Sequence, residues 1–331
     1  MSELKHWHPI LEETKLNKKP ISIKLLDKEI VIFKDSNGKI SALDDVCPHR
    51  RMRLSNGKIV ENSIQCPYHS WKIDGEGTCI SPASGFQNGK ANSYDVMRKH
   101  GMIWIRERNS STDFPIFQTD GYHFISSIQT EIEAPLEIVL DNFTETEHTS
   151  SVHAFLGFGM NELKDAEVVF DSTESSTRLF NKAKQKKIPW LIRHFIEIKS
   201  TDYFIDDWTT YFSPVYTVYD QYWTKGNSTE ERPVKLKIYV FFNPIDKDKT
   251  QVIAFTFMKY RLLGNLGLNL FIKPAMKWIV NYEVLLDKQM IESIANKEVS
   301  LKGTKLSKFD KSLGPNRNRI EKVYRQTENV S

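Results

Sequence analysis

The sequence predicts an α+β protein in two parts. A small all-β module occupies residues 1–115, and an antiparallel sheet with helices occupies residues 116–331. Three observations carry this reading. The first third alternates apolar and polar residues in short runs between turn signals. The polar stretch Asn109-Ser110-Ser111-Thr112-Asp113-Phe114-Pro115 reads as a linker. Beyond it lie longer strand-like runs and one long helical pattern near the end.

In the first part, residues 21–26, 29–34 and 39–43 read as strands, with Asp35-Ser36-Asn37-Gly38 as a turn before the third. Residues 93–96 and 102–106 add two more, and Asp74-Gly75-Glu76-Gly77 is a second turn. His6-Trp7-His8 reads as a strand edge packing Trp7 rather than as a metal tag. In the second part Pro135 opens a helix whose Leu136, Val139, Leu140 and Phe143 make one apolar stripe. Residues 209–223 read as one long strand. Residues 234–242 and 252–260 are two more, joined by the polar turn Asp246-Lys247-Asp248-Lys249. Residues 276–299 read as a long helix. The segment 264–277, in which Pro274 starts that helix, reads as packing, and the tail beyond Leu301 as an extended, solvated arm.

The formal net charge is +4, but residues 301–331 hold eight basic and three acidic side chains, so the other 300 residues sum to −1. A near-neutral body with a basic tail lacks the basic face of a nucleic-acid binder. Three cysteines make no disulfide framework and suit a reducing compartment. The start has no signal pattern, and the most apolar stretch, 262–280, is interrupted by Asn265, Asn269, Lys273, Pro274 and Lys277. The expectation is a soluble cytoplasmic protein.

Two constellations carry chemistry. Cys47-Pro48-His49 is followed, sixteen residues on, by Cys66-Pro67-Tyr68-His69. Each short loop offers one thiolate and one imidazole. Structural zinc usually takes its two cysteines from one loop and its two histidines from another. One of each per loop suits instead a two-iron cluster with both thiolates on one iron and both imidazoles on the other. Cys79 has no partner and reads as a small buried hydrophobe. In the second constellation Asn142, Glu145 and His148 stand three apart and would share a helix face, with His153 five residues further. His-x4-His alone also fits ordinary hydrogen-bonded histidines. Two histidines and a carboxylate, however, make the facial triad of non-haem Fe(II). On the 276–299 helix, five of the six residues sharing a face with Asp287 are apolar: Val280, Val284, Met290, Ile291 and Ile294, with Glu283 the exception. A buried carboxylate needs a metal or an ion-pair partner.

Cys47-Pro48-His49-Arg50 with Cys66-Pro67-Tyr68-His69 and Trp71 resembles the Rieske domain of the Rieske non-haem iron oxygenases. Respiratory Rieske proteins carry an extra cysteine in each loop. Arg51 or Met52 and Tyr68 stand near those positions here, so the resemblance is to the oxygenase type. Asn142-x-x-Glu145-x-x-His148-x4-His153 matches the catalytic-domain motif of that family, and residues 286–292 resemble the segment whose aspartate is the third iron ligand. The family usually has glycine where Arg51 and Ser70 stand, and Asp where Glu145 stands. The resemblance implies a Rieske [2Fe–2S] cluster on Cys47, His49, Cys66 and His69, and a helix-grip-like domain holding mononuclear Fe(II) on His148, His153 and Asp287. It implies a terminal oxygenase fed with NAD(P)H electrons through a reductase, with or without a ferredoxin, and assembled as a head-to-tail homotrimer. Asn142 and Glu145 would be catalytic, Glu145 bridging His69 of the partner subunit to His148. The short chain resembles the monooxygenase and demethylase branch, which hydroxylates or demethylates small apolar ring compounds. The alternatives are a cis-dihydroxylating dioxygenase, a Rieske electron carrier without catalysis, and a zinc module. Arg50, Arg51 and Arg53 would help dock the electron donor.

Overall fold

A computed structural model describes residues 2–190, 193, 197–260 and 273–326. The chain divides into two units, one of Met1–Pro115 with Asn243–Lys247, the other of Ile116–Phe242 with Asp248–Ser331.

The first unit is all-β. Strands β1 (His8–Glu12), β10 (Tyr94–Lys99) and β11 (Met102–Glu107) form one sheet in the order β1-β11-β10. β2 (Ile21–Leu25), β3 (Lys28–Lys34) and β4 (Ile40–Asp44) form a second. β5 (Lys58–Val60), β6 (Ser63–Gln65), β7 (Lys72–Asp74), β8 (Thr78–Ile80) and β9 (Gln87–Lys90) form a third. Ile30-Val31-Ile32-Phe33 on β3 is buried on both faces, and its period of two feeds two cores. Ile30 and Ile32 pack with Ile103 and Ile105; Val31 and Phe33 pack with Leu54, Ile64 and Ile73. The two turns read from the sequence share one device. Asp35 Oδ1 accepts from the amides of Asn37 and Lys39, and Asp74 Oδ1 from those of Glu76 and Thr78, all at 2.8–2.9 Å. Gly77 is required after the second, because φ is +86° and a Cβ would sit 2.1 Å from the Ala91 carbonyl oxygen. Trp7 is buried against Phe114 and under the Arg106 guanidinium. Residues 243–247 complete this unit. The amides of Leu26 and Asp27 donate to the carbonyls of Pro244 and Ile245, the Asn243 side chain meets His8, and Lys24 pairs with Asp246.

The second unit is a seven-stranded sheet in the order β12-β18-β17-β16-β15-β14-β13. Its strands are β12 (His123–Ile132), β13 (Glu167–Ser172), β14 (Ser176–Lys184), β15 (Tyr203–Phe212), β16 (Val215–Thr224), β17 (Glu231–Asp246) and β18 (Lys249–Lys259). Helix α1 (Leu136–Phe143) and helix α2 (Lys273–Glu292) pack with the sheet around one apolar core.

Three expectations are corrected, and one lies largely outside the described residues. The single strand over 209–223 is a hairpin, β15 and β16, turning at Ser213-Pro214, because proline brings no amide to the ladder. The long helix ends at Glu292, where Ser293 and Asn296 are poor helix formers and Lys297 Nζ caps the Glu292 carbonyl. Of the segment 264–277, residues 264–272 lie outside the described residues; Pro274 sits in the first turn of α2. The tail is not a solvated arm. It folds into helix α3 (Leu313–Arg319) and a π-turn (Ile320–Tyr324), with Phe309, Leu313, Ile320 and Tyr324 buried. Two of its basic side chains reach acids of α1: Arg317 makes a bidentate pair with the half-buried Asp141, and Arg325 pairs with the buried Glu137.

Candidate metal centres

In the first unit the two loops are closed in the same way by their own backbone. The Cys47 amide donates to the Met52 carbonyl and the Arg51 amide returns to Cys47. The Cys66 amide donates to Trp71 and the Ser70 amide returns to Cys66, all at 2.8–3.1 Å. Arg51 and Ser70 both have φ near +58°, the left-handed region that favours glycine, so both loops keep that turn with a side chain in it. The thiols of Cys47 and Cys66 are buried and adjacent, and the amides of His49 and Arg50 point at the Cys47 sulfur. Burial pushes the Cys47 thiol up, against those amides. The imidazoles of His49 and His69 stand together nearer the surface, ring centroids 4.5 Å apart, with His49 stacked on Trp71. Asp45, buried below, accepts from the amide and hydroxyl of Ser55 and anchors the first loop. Two buried sulfurs beside two open imidazoles, with amides aimed at sulfur, are a donor set that fits a Rieske cluster. Cys79 is buried apart from this set, its thiol donating to the Gly77 carbonyl, and burial lifts it to about 11. Of the arginine cluster, Arg50 and Arg51 are exposed while Arg53 pairs with Glu29.

In the second unit the expected common helix face for Asn142, Glu145 and His148 does not exist. Helix α1 ends at Phe143, because the last carbonyls find partners outside the helix. The Thr144 hydroxyl donates to Leu140, the Tyr219 hydroxyl to Phe143, and the Ser312 hydroxyl to Thr144. Glu145 then sits in a turn, and His148 opens a short 3-10 helix, His148–Ser150. That break lets residues five apart converge. One ligand atom each from His148, His153 and Asp287 lies within 4.8 Å of the others. Asp287 Oδ1 is 2.9 Å from His153 Nε2 and 3.2 Å from His148 Nε2, and it accepts a hydrogen bond from Asn142 Nδ2 at 3.1 Å. Glu145 holds His148 Nδ1, so the ring turns Nε2 toward Asp287. His148 Nε2 is buried and lacks an aligned hydrogen-bond partner among the described residues. Burial would lower the His148 imidazole, but Asp287 and Glu145 outweigh it and raise it to about 10. Burial would raise Asp287, but His153 and His148 hold its carboxyl below the usual carboxylate range. Two histidines and a 96%-buried carboxylate converging at one point, with an orphaned imidazole nitrogen there, fit a mononuclear metal.

Several residues that hold this site escaped the sequence reading. Glu283, one turn before Asp287, is buried and accepts from the amides of Ala154, Phe155 and Leu156, pinning the loop after His153. Its signal was present, as the one polar member of the Asp287 face. Lys186 Nζ donates to the carbonyls of Thr149 and His153 and tightens the same loop. Gly157, at φ +104°, lets the loop pass Thr149, whose hydroxyl would lie 2.3 Å from a Cβ. Beside the triad is a cavity lined by Phe143, Trp208, Tyr219, Ile238 and Val240 among others, with Asp206 and Gln221 as polar residues on its sheet wall. Burial raises the Asp206 carboxyl to about 6, against the hydrogen bond from Gln221.

The chain resembles known proteins in sequence and in fold. The family model for the Rieske [2Fe-2S] domain matches residues 6–94. The chain is 28% identical over 187 residues to protein TIC 55 of Arabidopsis thaliana, covering 53% of this chain and 35% of that one. It is 31% identical over 185 residues to the methylxanthine N1-demethylase NdmA of Pseudomonas putida, covering 51% and 52%. The chain thus spans about a third to a half of the length of these curated relatives. The crystal structure of dicamba monooxygenase bound to 3,6-dichlorosalicylic acid superposes with a TM-score of 0.82 over 98% of each chain, at 18% identity. No described helix is long and apolar enough to cross a membrane. The chain thus carries a Rieske [2Fe-2S] domain over residues 6–94, in a fold shared with dicamba monooxygenase over nearly its whole length.

Proposed function

We propose that the protein is the terminal oxygenase of a multicomponent system. It would use O2, and electrons from NAD(P)H passed through a reductase with or without a ferredoxin, to hydroxylate or oxidatively demethylate a small, mostly apolar ring compound. The observation that carries this reading is the convergence of His148, His153 and Asp287 on the edge of an apolar cavity, in a chain that also bears a Rieske domain. Relatives named as demethylases support the branch.

In this reading Cys47, His49, Cys66 and His69 would hold a [2Fe–2S] cluster, and His148, His153 and Asp287 a mononuclear Fe(II). The cluster would supply single electrons, and the Fe(II) a place for O2 beside the substrate. The chain's own residues do the rest. Glu145 fixes the tautomer and direction of His148, and Asn142 braces Asp287 through its amide. Glu283 and Lys186 keep His153 in place, and the apolar walls keep water from the reacting atoms. In the proposed head-to-tail homotrimer, Glu145 would also face His69 of the partner subunit and relay charge and protons between the centres.

Metal analysis gives the first test. About three irons per two labile sulfides are expected, against two for an electron carrier and zinc without sulfide for a structural module. Substrate-dependent O2 uptake with mass analysis of products, across methyl-bearing aromatic and alicyclic compounds, gives the second. No uptake with any compound in a fully loaded protein would overturn the oxygenase reading, and a cis-diol product would assign dioxygenation.

A further inference from the structure

The sheet wall of the cavity carries a polar pair that makes no hydrogen bond to His148, His153 or Asp287. Asp206 on β15 and Gln221 on β16 are directly paired across the ladder, on the face that also presents Trp208 and Tyr219 to the cavity. Both are buried, at 5% and 7% exposure. Gln221 Nε2 donates to Asp206 Oδ1 at 3.0 Å. Only the NH2 end of an amide can serve a carboxylate oxygen, so this bond fixes which way the amide points. The other end, Gln221 Oε1, is buried and has no hydrogen-bond partner among the described residues. A buried acceptor left unpaired is unfavourable, and a ligand N–H or O–H would satisfy it. Glu145, Asp206, Glu283 and Asp287 line the cavity, and its basic side chains are His148 and His153, which Glu145 and Asp287 already engage; none of its described lining residues is lysine or arginine. A ligand carboxylate placed at Gln221 would meet an unpaired acceptor and the Asp206 carboxyl, with no lysine or arginine to offset them.

We infer that Asp206 and Gln221 are specificity-determining residues that select a neutral or cationic ring compound bearing an N–H or O–H donor and reject carboxylates. The identity of the cavity as the substrate site rests on the oxygenase reading.

Two isosteric pairs test this by calorimetric titration of the holoenzyme without electrons or O2. Aniline and toluene differ by an N–H donor alone, and benzamide and benzoate by a charge as well as a donor. The expected result is at least about tenfold tighter binding of aniline than of toluene, and of benzamide than of benzoate, because a site built for a donor rejects the analogue lacking it. In Gln221→Leu the aniline preference should fall to within about threefold, while in Asp206→Asn it persists and the penalty on benzoate shrinks. Equal binding of either pair by the unsubstituted protein overturns the inference, whether or not the variants fold. So does an undiminished aniline preference in a folded Gln221→Leu that keeps its reduced-cluster EPR signal. Because binding is read without turnover, donor preference with no O2-dependent product fails the oxygenase reading alone. Oxygenation confined to carboxylates fails this inference alone.

Discussion

The two candidate metal centres are built by opposite means. Each Rieske loop is six residues closed by its own backbone, from Cys47 to Met52 and from Cys66 to Trp71, and repeats the same pair of hydrogen bonds. The candidate mononuclear site is gathered from the end of α1, a turn, a loop and α2, and is held by Glu283, Lys186 and the C-terminal segment. A site closed locally should tolerate distant change, whereas a site assembled from afar should fail when any brace is removed.

The sharpest separation comes from Asp287→Ala. Removing the one carboxylate shared by both histidines should abolish mononuclear metal binding, seen as loss of about one iron in three, while the reduced-cluster EPR signal stays. If the cluster signal disappears too, the centres are not independent. Next in size is Arg317→Met, which leaves the half-buried Asp141 without its bidentate partner. Burial already lifts the Asp141 carboxyl to about 7, with Arg317 opposing. A carboxyl raised on folding favours the folded state when protonated, and that contribution is lost as pH climbs from about 4 through the raised value. The variant should therefore be about 3 kcal/mol less stable than the parent at pH 8, and closer to it at pH 5, in urea titrations. A pH-independent loss would mean that Arg317 acts through packing alone.

A smaller effect is expected from Glu283→Ala, which strips three amides of their acceptor. About 2 kcal/mol of stability should go, with roughly 10- to 100-fold weaker mononuclear metal binding, and Glu283→Gln should recover part of both. Ser70→Gly should do least. It relieves a left-handed residue and should raise the melting stability by about 0.5–1 kcal/mol without changing iron content. A destabilised Ser70→Gly would show that the Ser70 side chain holds the loop.

The same contrast explains what could be read in advance. The Rieske loops are legible because ligand types and closure lie within a few residues of each other. Asp287 was legible through its burial, since a carboxylate among Val280, Val284 and Ile291 demands a partner. The geometry of His148 and His153 was not, because the end of α1 depends on hydroxyls from Tyr219 and Ser312, remote in sequence. Glu283 was named but not understood, as its partners are backbone amides about 130 residues away. The tail misled because composition counts charges without saying where their partners are. Arg317 and Arg325 pair with Asp141, half-buried, and Glu137, buried, both on α1 and far away in sequence.

The five residues 243–247 bear on how the chain can be cut. They tip the β17–β18 hairpin, yet they supply acceptors for Leu26 and Asp27 and a side chain for His8. A fragment ending at Pro115 would leave those two amides without their acceptors and His8 Nδ1 without the Asn243 side chain, so the polar linker is a convenient scissor point but not the border of a self-sufficient piece. Gene fusions or domain exchanges that transplant the Rieske loops should carry this hairpin tip with them, or graft in a peptide that supplies the same two carbonyls.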